Sequence, residues 1–323
     1  MIRAAIYGYG NLGQALCRAL RAAPDFILQG IYTHRTQTLS AQQPLPFFDA
    51  QQIFSADVQV VFNCGGSATQ LPRTTPVLAQ HFCVVDSFDD HGRIPAHFVA
   101  VDASARAAST LCVISAGWDP GLFSLFRILG DAFLPGCTPV TLWGPGVSQG
   151  HSDALRRLPD VQDAREYTVP LPEARRAARQ GRPVSAAAGH RRICYVVPRP
   201  GADLPQLENT IRTLPGYFAG YDTEIHFISQ QQLDARHTAL PHGGEVIAAS
   251  PALPGRGTDG LQLMELQLSL QSNPAFTAGI LLGCGRAAVR LWQRGETGCR
   301  TMADLPPTLY AAEDGAVLRA RYL

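Results

Sequence analysis

The chain has 323 residues, with 27 basic against 26 acidic side chains and a formal net charge of +1, so it carries no electrostatic signature of a nucleic-acid binder. Hydrophobic residues make up 46% of it and charged ones 16%, a balance that supports a large core and excludes a disordered chain. No apolar run approaches the ~18 residues of a membrane span and no signal-peptide pattern precedes the first strand, so a cytoplasmic protein is expected, and the length predicts two domains.

The first third alternates short apolar runs with helical stretches, the pattern of parallel βαβ units. Strands are predicted at Arg3 to Tyr7, Ile27 to Thr33, Val58 to Cys64, Phe82 to Val85 and Leu111 to Ser115. Helices are predicted at Leu12 to Ala23, Leu71 to Gln80 and Ala96 to Ala108, the last opened by Pro95. From about Trp118, Pro and Gly punctuate every few residues, and period-2 segments appear at Arg191 to Val197, Glu224 to Ile228 and Leu261 to Leu268. These predict an α+β domain with an antiparallel sheet. Arg175 to Arg192 reads as a solvated arginine-rich helix face and loop. Ala303 to Leu323 has helical periodicity and is expected to pack back on the first domain. The predicted class is therefore α/β: a Rossmann-type doubly wound parallel sheet from residues 1–118, joined by a segment at about 300–323, with an α+β substrate-binding domain across 119–299.

Every one of the 27 basic residues is arginine. The absence of lysine excludes a Schiff-base lysine, a phosphate-loop lysine and a lysine general base. Chemistry must run on carboxylates, imidazoles, hydroxyls or a bound cofactor. The eight cysteines, at 17, 64, 83, 112, 137, 194, 284 and 299, form no CxxC pair and no Cys/His cluster, so they read as reduced, mostly buried thiols and no metal site is expected.

Gly8-Tyr9-Gly10-Asn11-Leu12-Gly13 follows the first strand and opens the first helix, the one context in which GxGxxG is informative. Gly8 permits the turn, Gly10 lets backbone approach a pyrophosphate and Gly13 allows close packing of helix on strand. The second strand ends Tyr32-Thr33-His34-Arg35-Thr36 without an acid. An acid there would bind the ribose hydroxyls of NAD, whereas a cation accepts the 2′-phosphate of NADP. At ~1.5–3 kcal/mol per charge-assisted hydrogen bond, Arg35 with Thr33 and His34 favours NADP roughly 10- to 100-fold. Asp86-Ser87-Phe88-Asp89-Asp90-His91 and Gly117-Trp118-Asp119-Pro120-Gly121 each follow a predicted strand and place carboxylates where an ammonium-bearing substrate would meet the cofactor. Each Asp taken alone is an ordinary cap or turn residue. The loop from Trp143 to Arg157 is dense in hydrogen-bonding side chains, with Ser152 a candidate helix cap. Leu240 to Gly244 and Ser272 to Pro274 read as polar turns.

Together these segments resemble the meso-diaminopimelate D-dehydrogenase family. The likeness runs through GYGNLG at 8–13, SFDDH at 87–91, SAGWDPG at 115–121, WGPGVSQGHSDALRR at 143–157, LPGYFAGY at 214–221, LPHGG at 240–244, NPAFTAG at 273–279 and GRAA at 285–288. The resemblance covers nearly the whole chain. It implies a homodimeric, NADP-dependent enzyme that oxidatively deaminates the D-centre of meso-2,6-diaminopimelate in the lysine branch of amino-acid biosynthesis. Beside Gly8, Gly13 and Thr33, read above from the residues, it implies cofactor contacts on Tyr9, Gly10, Asn11 and Leu12, on His34, Arg35 and Thr36, on Cys64, Gly65, Gly66 and Ser67, on Ser87, Phe88 and Asp89, and on Ala116, Gly117, Trp118, Asp119 and Pro120. Substrate contacts would fall on Asp89, Asp119, Trp143, Gln149, Gly150, His151, Thr168, Arg192, His242 and Asn273, with Asp89 or Asp119 as the catalytic base. The family often carries two arginines at the 2′-phosphate position, where this chain has His34 then Arg35. Two alternatives stay open: an NADP oxidoreductase acting on another amino acid, and a non-catalytic NADP-binding sensor.

Overall fold

The computed structural model describes residues 1–36, 45–134, 136–250 and 260–323. They form two compact units, residues 1–125 with 274–323, and residues 126–273.

In the first unit, β1 (Ile2–Tyr7), β2 (Phe26–Thr33), β3 (Phe47–Asp49), β4 (Val60–Asn63), β5 (Cys83–Asp86), β6 (Leu111–Val113) and β14 (Gly298–Arg300) make one seven-stranded sheet in the order β14-β6-β5-β4-β1-β2-β3. All neighbours in it are parallel, and the run 3-2-1-4-5-6 is the doubly wound order expected from the βαβ pattern. Successive strand residues point to opposite faces, so each strand feeds two cores. Ala4, Ile6, Ile31, Phe62, Val85 and Val113 face one; Ala5, Tyr32, Val61, Val84 and Cys112 face the other. This two-sided burial is why the strands read as continuous apolar runs rather than as alternating ones.

The helices α1 (Asn11–Ala22), α2 (Leu71–Leu78) and α3 (Ile94–Ala108) stand close to where periodicity puts them. α10, the 21-residue helix Asn273–Gln293, covers the first core through Ala278, Leu281, Cys284 and Ala288. The chain thus rejoins this unit at Pro274, ahead of the expected position near 300, because the polar turn read at 272–274 opens an apolar helix. Beyond it the helical reading of 303–323 shortens to α11 (Gly315–Tyr322), which buries none of its residues. Met302, Leu305 and Leu309, in and beside short 3₁₀ turns, do the packing. All eight cysteines are free thiols and seven of them are buried.

The second unit holds two sheets. β11 (Asp222–Phe227), β10 (His190–Pro198), β9 (Val161–Pro170) and β8 (Gly146–Val147) form one; β13 (Leu263–Leu270), β12 (His242–Ala249) and β7 (Val140–Trp143) form the other. The expected antiparallel pairing holds except between β10 and β11, which are parallel. Their connection is a crossover through α8 (Leu204–Arg212), whose Leu207 and Ile211 pack under Cys194 and Val196 of β10, and a crossover returns the chain in the same direction. The helices α4 (Leu122–Phe133), α5 (Gln149–Arg156), α6 (Pro172–Arg179), α7 (Ala186–Gly189) and α9 (Gln230–Arg236) complete the described fold. Within the arginine-rich stretch, Arg175 and Arg179 lie on α6 and pair with Glu245 and Glu265. Arg192 departs from the solvated reading: it sits on β10 and is 5% exposed. No helix among the described residues is long and apolar enough to cross a membrane.

Gly285 of α10 packs tightly against the first core, since a Cβ there would lie 2.5 Å from Cζ of the fully buried Phe62. Gly285→Ala is expected to lose about 1–3 kcal/mol to overpacking in spite of the better helix propensity of alanine. Urea unfolding of the variant beside the parent checks this, and equal midpoints would contradict it.

Candidate functional site

In the first unit the predicted loops all leave the carboxyl ends of parallel strands, where open α/β sheets place ligands. Gly8 adopts φ +95°, and a Cβ on it would meet the Cys64 carbonyl oxygen at 3.2 Å; one on Gly13 would lie 2.3 Å from the Gly8 carbonyl oxygen. The loops after β1 and β4 therefore touch at the point where the strand order reverses. Gly10 is the N-cap of α1 with no side-chain cap, no acid lies in the first turn, and nothing stands within 4 Å of where its Cβ would be. The first-turn amides are left for an anion. Arg35 is exposed and donates from Nη2 to the Tyr9 carbonyl at 2.8 Å, holding its guanidinium beside that loop. Thr33 is buried, and its Oγ1 and main-chain oxygen accept from the Arg35 amide and the Thr36 hydroxyl. These residues fit an NADP-type dinucleotide, with a cation at the strand end and an uncapped helix behind it.

The other loops converge through Asp86, which the sequence reading placed with the carboxylates that meet the substrate; it has no exposed surface, because main-chain and side-chain donors occupy its oxygens. Its Oδ1 accepts the amides of Phe88 at 3.1 Å and Ser115 at 3.0 Å. Its Oδ2 accepts the Thr75 hydroxyl at 2.8 Å and lies 2.7 Å from His97 Nε2. Asn63, at the end of β4, donates to Thr75 Oγ1 at 3.1 Å. Gly65 and Gly66 take amide bonds to Asn63 and Gln70, and the exposed Asp89 donates its amide to Ser67 Oγ at 3.3 Å. Asp119 is half-buried, next to the buried Trp118 that packs edge-on against Phe123. Gly121, at φ +128°, closes this turn: a Cβ would overlap the Gly117 carbonyl at 1.9 Å.

In the second unit, glycines explain the loop after β7. Gly144, at φ +95°, lies against the Thr168 carbonyl, and Gly146 lies against Pro241 and His242; a Cβ on the first would come within 2.0 Å of that oxygen, and one on the second within 2.5 Å of its neighbours. Close backbone contact thus brings Trp143, Thr168 and His242 together. Ser148 caps α5 by accepting the His151 amide, and its hydroxyl meets His151 Nδ1 at 2.6 Å. Gln149 and Gly150 occupy the exposed first turn. Asn273 opens α10, its amide donating to the Leu240 carbonyl. Trp143 stacks on His190, which accepts the Trp143 amide at Nε2 and meets the Ala186 carbonyl at Nδ1.

Arg192 and Thr168 are the buried pair at the centre of this cluster. Arg192 Nη1 donates to Thr168 Oγ1 and lies 3.5 Å from Oε1 of Glu166, which has no exposed surface. The Thr168 hydroxyl is 3.1 and 3.2 Å from the two Glu166 oxygens. The guanidinium stacks on Tyr221 at 4.4 Å, and its Nε is buried without a partner among the described residues. Burial pushes the Glu166 carboxyl up to about 7, against the opposing pull of Arg192 and Thr168. Burial, with Arg192 and the neighbouring histidines, pushes His151 down to about 3. Burial, with Arg192, takes His242 down to about 4, and its Nδ1 accepts the Gly243 amide. Both imidazoles are therefore neutral near pH 7 and act as hydrogen-bonding groups. Glu166 and His190 were missed in the sequence. The clue for Glu166 was its place between Ala164 and Thr168 on the apolar face of β9, but that strand carried no prediction.

Comparison with known proteins identifies the relatives of this chain. The family described as "Diaminopimelic acid dehydrogenase C-terminal domain" matches residues 117–272. The chain is 43% identical over 327 residues to the meso-diaminopimelate D-dehydrogenase of Lysinibacillus sphaericus, covering 100% of this chain and 99% of the relative. It superposes on the Corynebacterium glutamicum DAP dehydrogenase in complex with DAP with a TM-score of 0.93 at 40% identity, and on an engineered D-amino acid dehydrogenase bound to NADP⁺ with 0.89 at 39%. Both matches cover 100% of this chain and 99% of the neighbour.

Stability should follow the groups that burial shifts in this unit, His151, His242 and Glu166 most of all, with His190 and His237 lowered in the same sense as the other histidines. A lowered histidine binds its proton in the unfolded chain first, so His151 and His242 withdraw stability as pH falls below 6.5. Glu166 has the opposite sign, because between 4.5 and 7 the folded chain keeps a proton that the unfolded chain has lost. Two protons less one leaves a net uptake of at least about one on unfolding between pH 4.5 and 6.5, or at least about 1.4 kcal/mol lost per pH unit, and the lowered His190 and His237 add to it. Denaturant titrations at pH 6.5 and 5 measure that slope, and His151→Gln should reduce it by about 1.4 kcal/mol per pH unit.

Proposed function

The chain belongs to the meso-diaminopimelate D-dehydrogenase family, and from that membership we propose the reaction meso-2,6-diaminopimelate, NADP⁺ and water to L-2-amino-6-oxopimelate, ammonium, NADPH and a proton. The keto product cyclises to tetrahydrodipicolinate, and the reverse direction is a reductive amination within lysine biosynthesis. What carries this reading is full-length identity above 40% together with a buried unpartnered donor, Arg192 Nε, in a cluster suited to amino-acid head groups.

The diaminopimelate molecule brings two ammonium and two carboxylate groups, and each must find a partner or cost several kcal/mol. Arg192 offers its free Nε to the carboxylate of the far L-centre. Thr168, neutral His242 and Asn273 complete the far-head contacts, with His151 in support, while Trp143, Gln149 and Gly150 line the carbon chain. Residues 126–273 are thus assigned substrate binding, and residues 1–125 with 274–323 cofactor binding. Gly8 to Gly13 and the α1 amides hold the pyrophosphate; Thr33 to Thr36 hold the 2′-phosphate. Cys64 to Ser67, Ser87 to Asp89 and Ala116 to Pro120 hold the remainder.

Bound NADP⁺ supplies the hydride acceptor for the D α-carbon. The protein supplies the proton chemistry: departure of hydride needs an amine lone pair, so the ammonium must first lose a proton. With no lysine in the chain, Asp89 or Asp119 takes that proton, directly or through water, and then deprotonates the water that attacks the imine. Trp118 and Trp143 exclude bulk solvent. As the family resemblance implies, we infer a homodimer working in the cytoplasm.

The deciding experiment is NADP⁺ reduction at alkaline pH with meso-, LL- and DD-diaminopimelate side by side and NAD⁺ as the control. Turnover is expected with the meso isomer and NADP⁺. NADP binding without turnover of any isomer would replace the enzyme with a sensor. Arg35→Ala is expected to raise KM for NADP⁺ roughly 10- to 100-fold and to leave NAD⁺ kinetics unchanged. Asp119→Asn is expected to lower kcat by about 10²-fold or more; wild-type kcat with a raised KM would move the base assignment to Asp89.

A further inference from the structure

The structure assigns Glu166 the selection of an amine at the substrate's far end: its carboxylate accepts the hydrogen bond of the Thr168 hydroxyl, which leaves Thr168 able only to accept toward the substrate. This inference rests on the dehydrogenase reading above and deepens it, because it concerns a residue that touches no substrate and acts through one that does.

The geometry is local to one strand pair. Ala164, Glu166 and Thr168 share the buried face of β9, and Arg192 stands directly across from Thr168 on β10. A hydroxyl has one proton and two acceptor sites. Both Glu166 oxygens stand within 3.2 Å of Thr168 Oγ1 and can only accept while ionised, so the proton points at Glu166. Arg192 Nη1, a donor only, takes one of the two acceptor sites. The remaining site suits a donor such as an ammonium N–H and offers nothing to a second carboxylate or an aliphatic end. Glu166 is held in register by its own amide, which donates to Ser152 Oγ at 2.9 Å, while that hydroxyl donates to the Ser148 carbonyl at 2.6 Å. A buried carboxylate is expensive, and here it balances the Arg192 charge and orients the Thr168 hydroxyl beside it.

Protonation of Glu166 reverses the arrangement, since a neutral acid can donate to Thr168 and free its proton to turn outward. The groups facing the pair are His190, Arg192 and Cys194 on β10, Ser152 and His151 on α5, and His242 at the start of β12. Burial lowers all three histidines, so the carboxyl that titrates near 7 is Glu166. Far-amine selection should be complete above that pH and fade below it.

The test compares meso-diaminopimelate with D-2-aminopimelate, which lacks only the far amine, the first by its KM and the second by its Ki as a competitor. In Glu166→Gln, KM for meso-diaminopimelate is expected to rise about tenfold, with kcat within twofold and the Ki of D-2-aminopimelate unchanged. A merely structural role would move both constants together, and an unchanged KM would remove Glu166 from recognition; either result overturns the inference. Should the variant fail to fold, the wild-type ratio of Ki to KM is read across pH 5.5 to 8.5. It should fall by about tenfold, from the alkaline to the acid end, through an inflection near 7, and a flat ratio overturns the inference. If the wild-type enzyme turns over no diaminopimelate, the dehydrogenase reading fails first and the inference with it; turnover with a flat ratio sinks the inference alone.

Discussion

Asp86 is a carboxylate with no contact with solvent, and the working end of the first unit is organised around it. An ionised carboxylate in such a place is tolerated only when donors surround it. Two backbone amides, the Thr75 hydroxyl and the His97 ring meet that demand, and its own carbonyl takes the Ala116 amide. These donors come from the segments that follow β5 and β6 and from α2 and α3, and Thr75 in turn binds Asn63 at the end of β4. One buried side chain therefore sets where the loops bearing Cys64 to Ser67, Ser87 to Asp89 and Ala116 to Pro120 begin. Its hydrogen bonds tie four segments together, so loops that carry reactive groups gain a rigid base.

The second unit meets a similar need by different means. Its polar cluster is built on two strands, with Gly144 and Gly146 removing the side chains that would hold neighbouring backbones apart. Two imidazoles near a guanidinium stay neutral because burial and the arginine both disfavour their charged forms. Glu166 supplies the one compensating anion. The cluster offers directional donors and acceptors with little net charge, which suits a zwitterionic head better than a field of one sign would.

Much of the first unit was legible in the sequence because parallel strands buried on both faces give unbroken apolar runs, and because the glycine loop follows the first of them. Short strands were not: β3 and β14, at three residues each, carry too little pattern to register. The helix Leu122–Phe133 hid behind the turn chemistry of residues 117–121, and α10 behind the polar dipeptide that opens it. The parallel pairing of β10 with β11 escaped because alternation reports which face of a strand is buried and says nothing about the direction of its neighbour.

Among the proposed site residues the division follows the same physics. Those in loops or at the element ends that border them, such as Gly8, Gly13, Asp119, Trp143 and His242, stand in strings whose glycines and prolines answer local backbone demands, and local demands are written in local sequence. The sequence by itself determined the doubly wound class, the lysine-free chemistry, the cation at the dinucleotide strand end and the family. Only the tertiary structure decided that Asp86 is a hub, that Arg192 is buried and not solvated, and that Glu166 stands behind Thr168. Each of these depends on partners tens of residues away or on a neighbouring strand, and whether a charge is buried or solvated is settled by what packs over it.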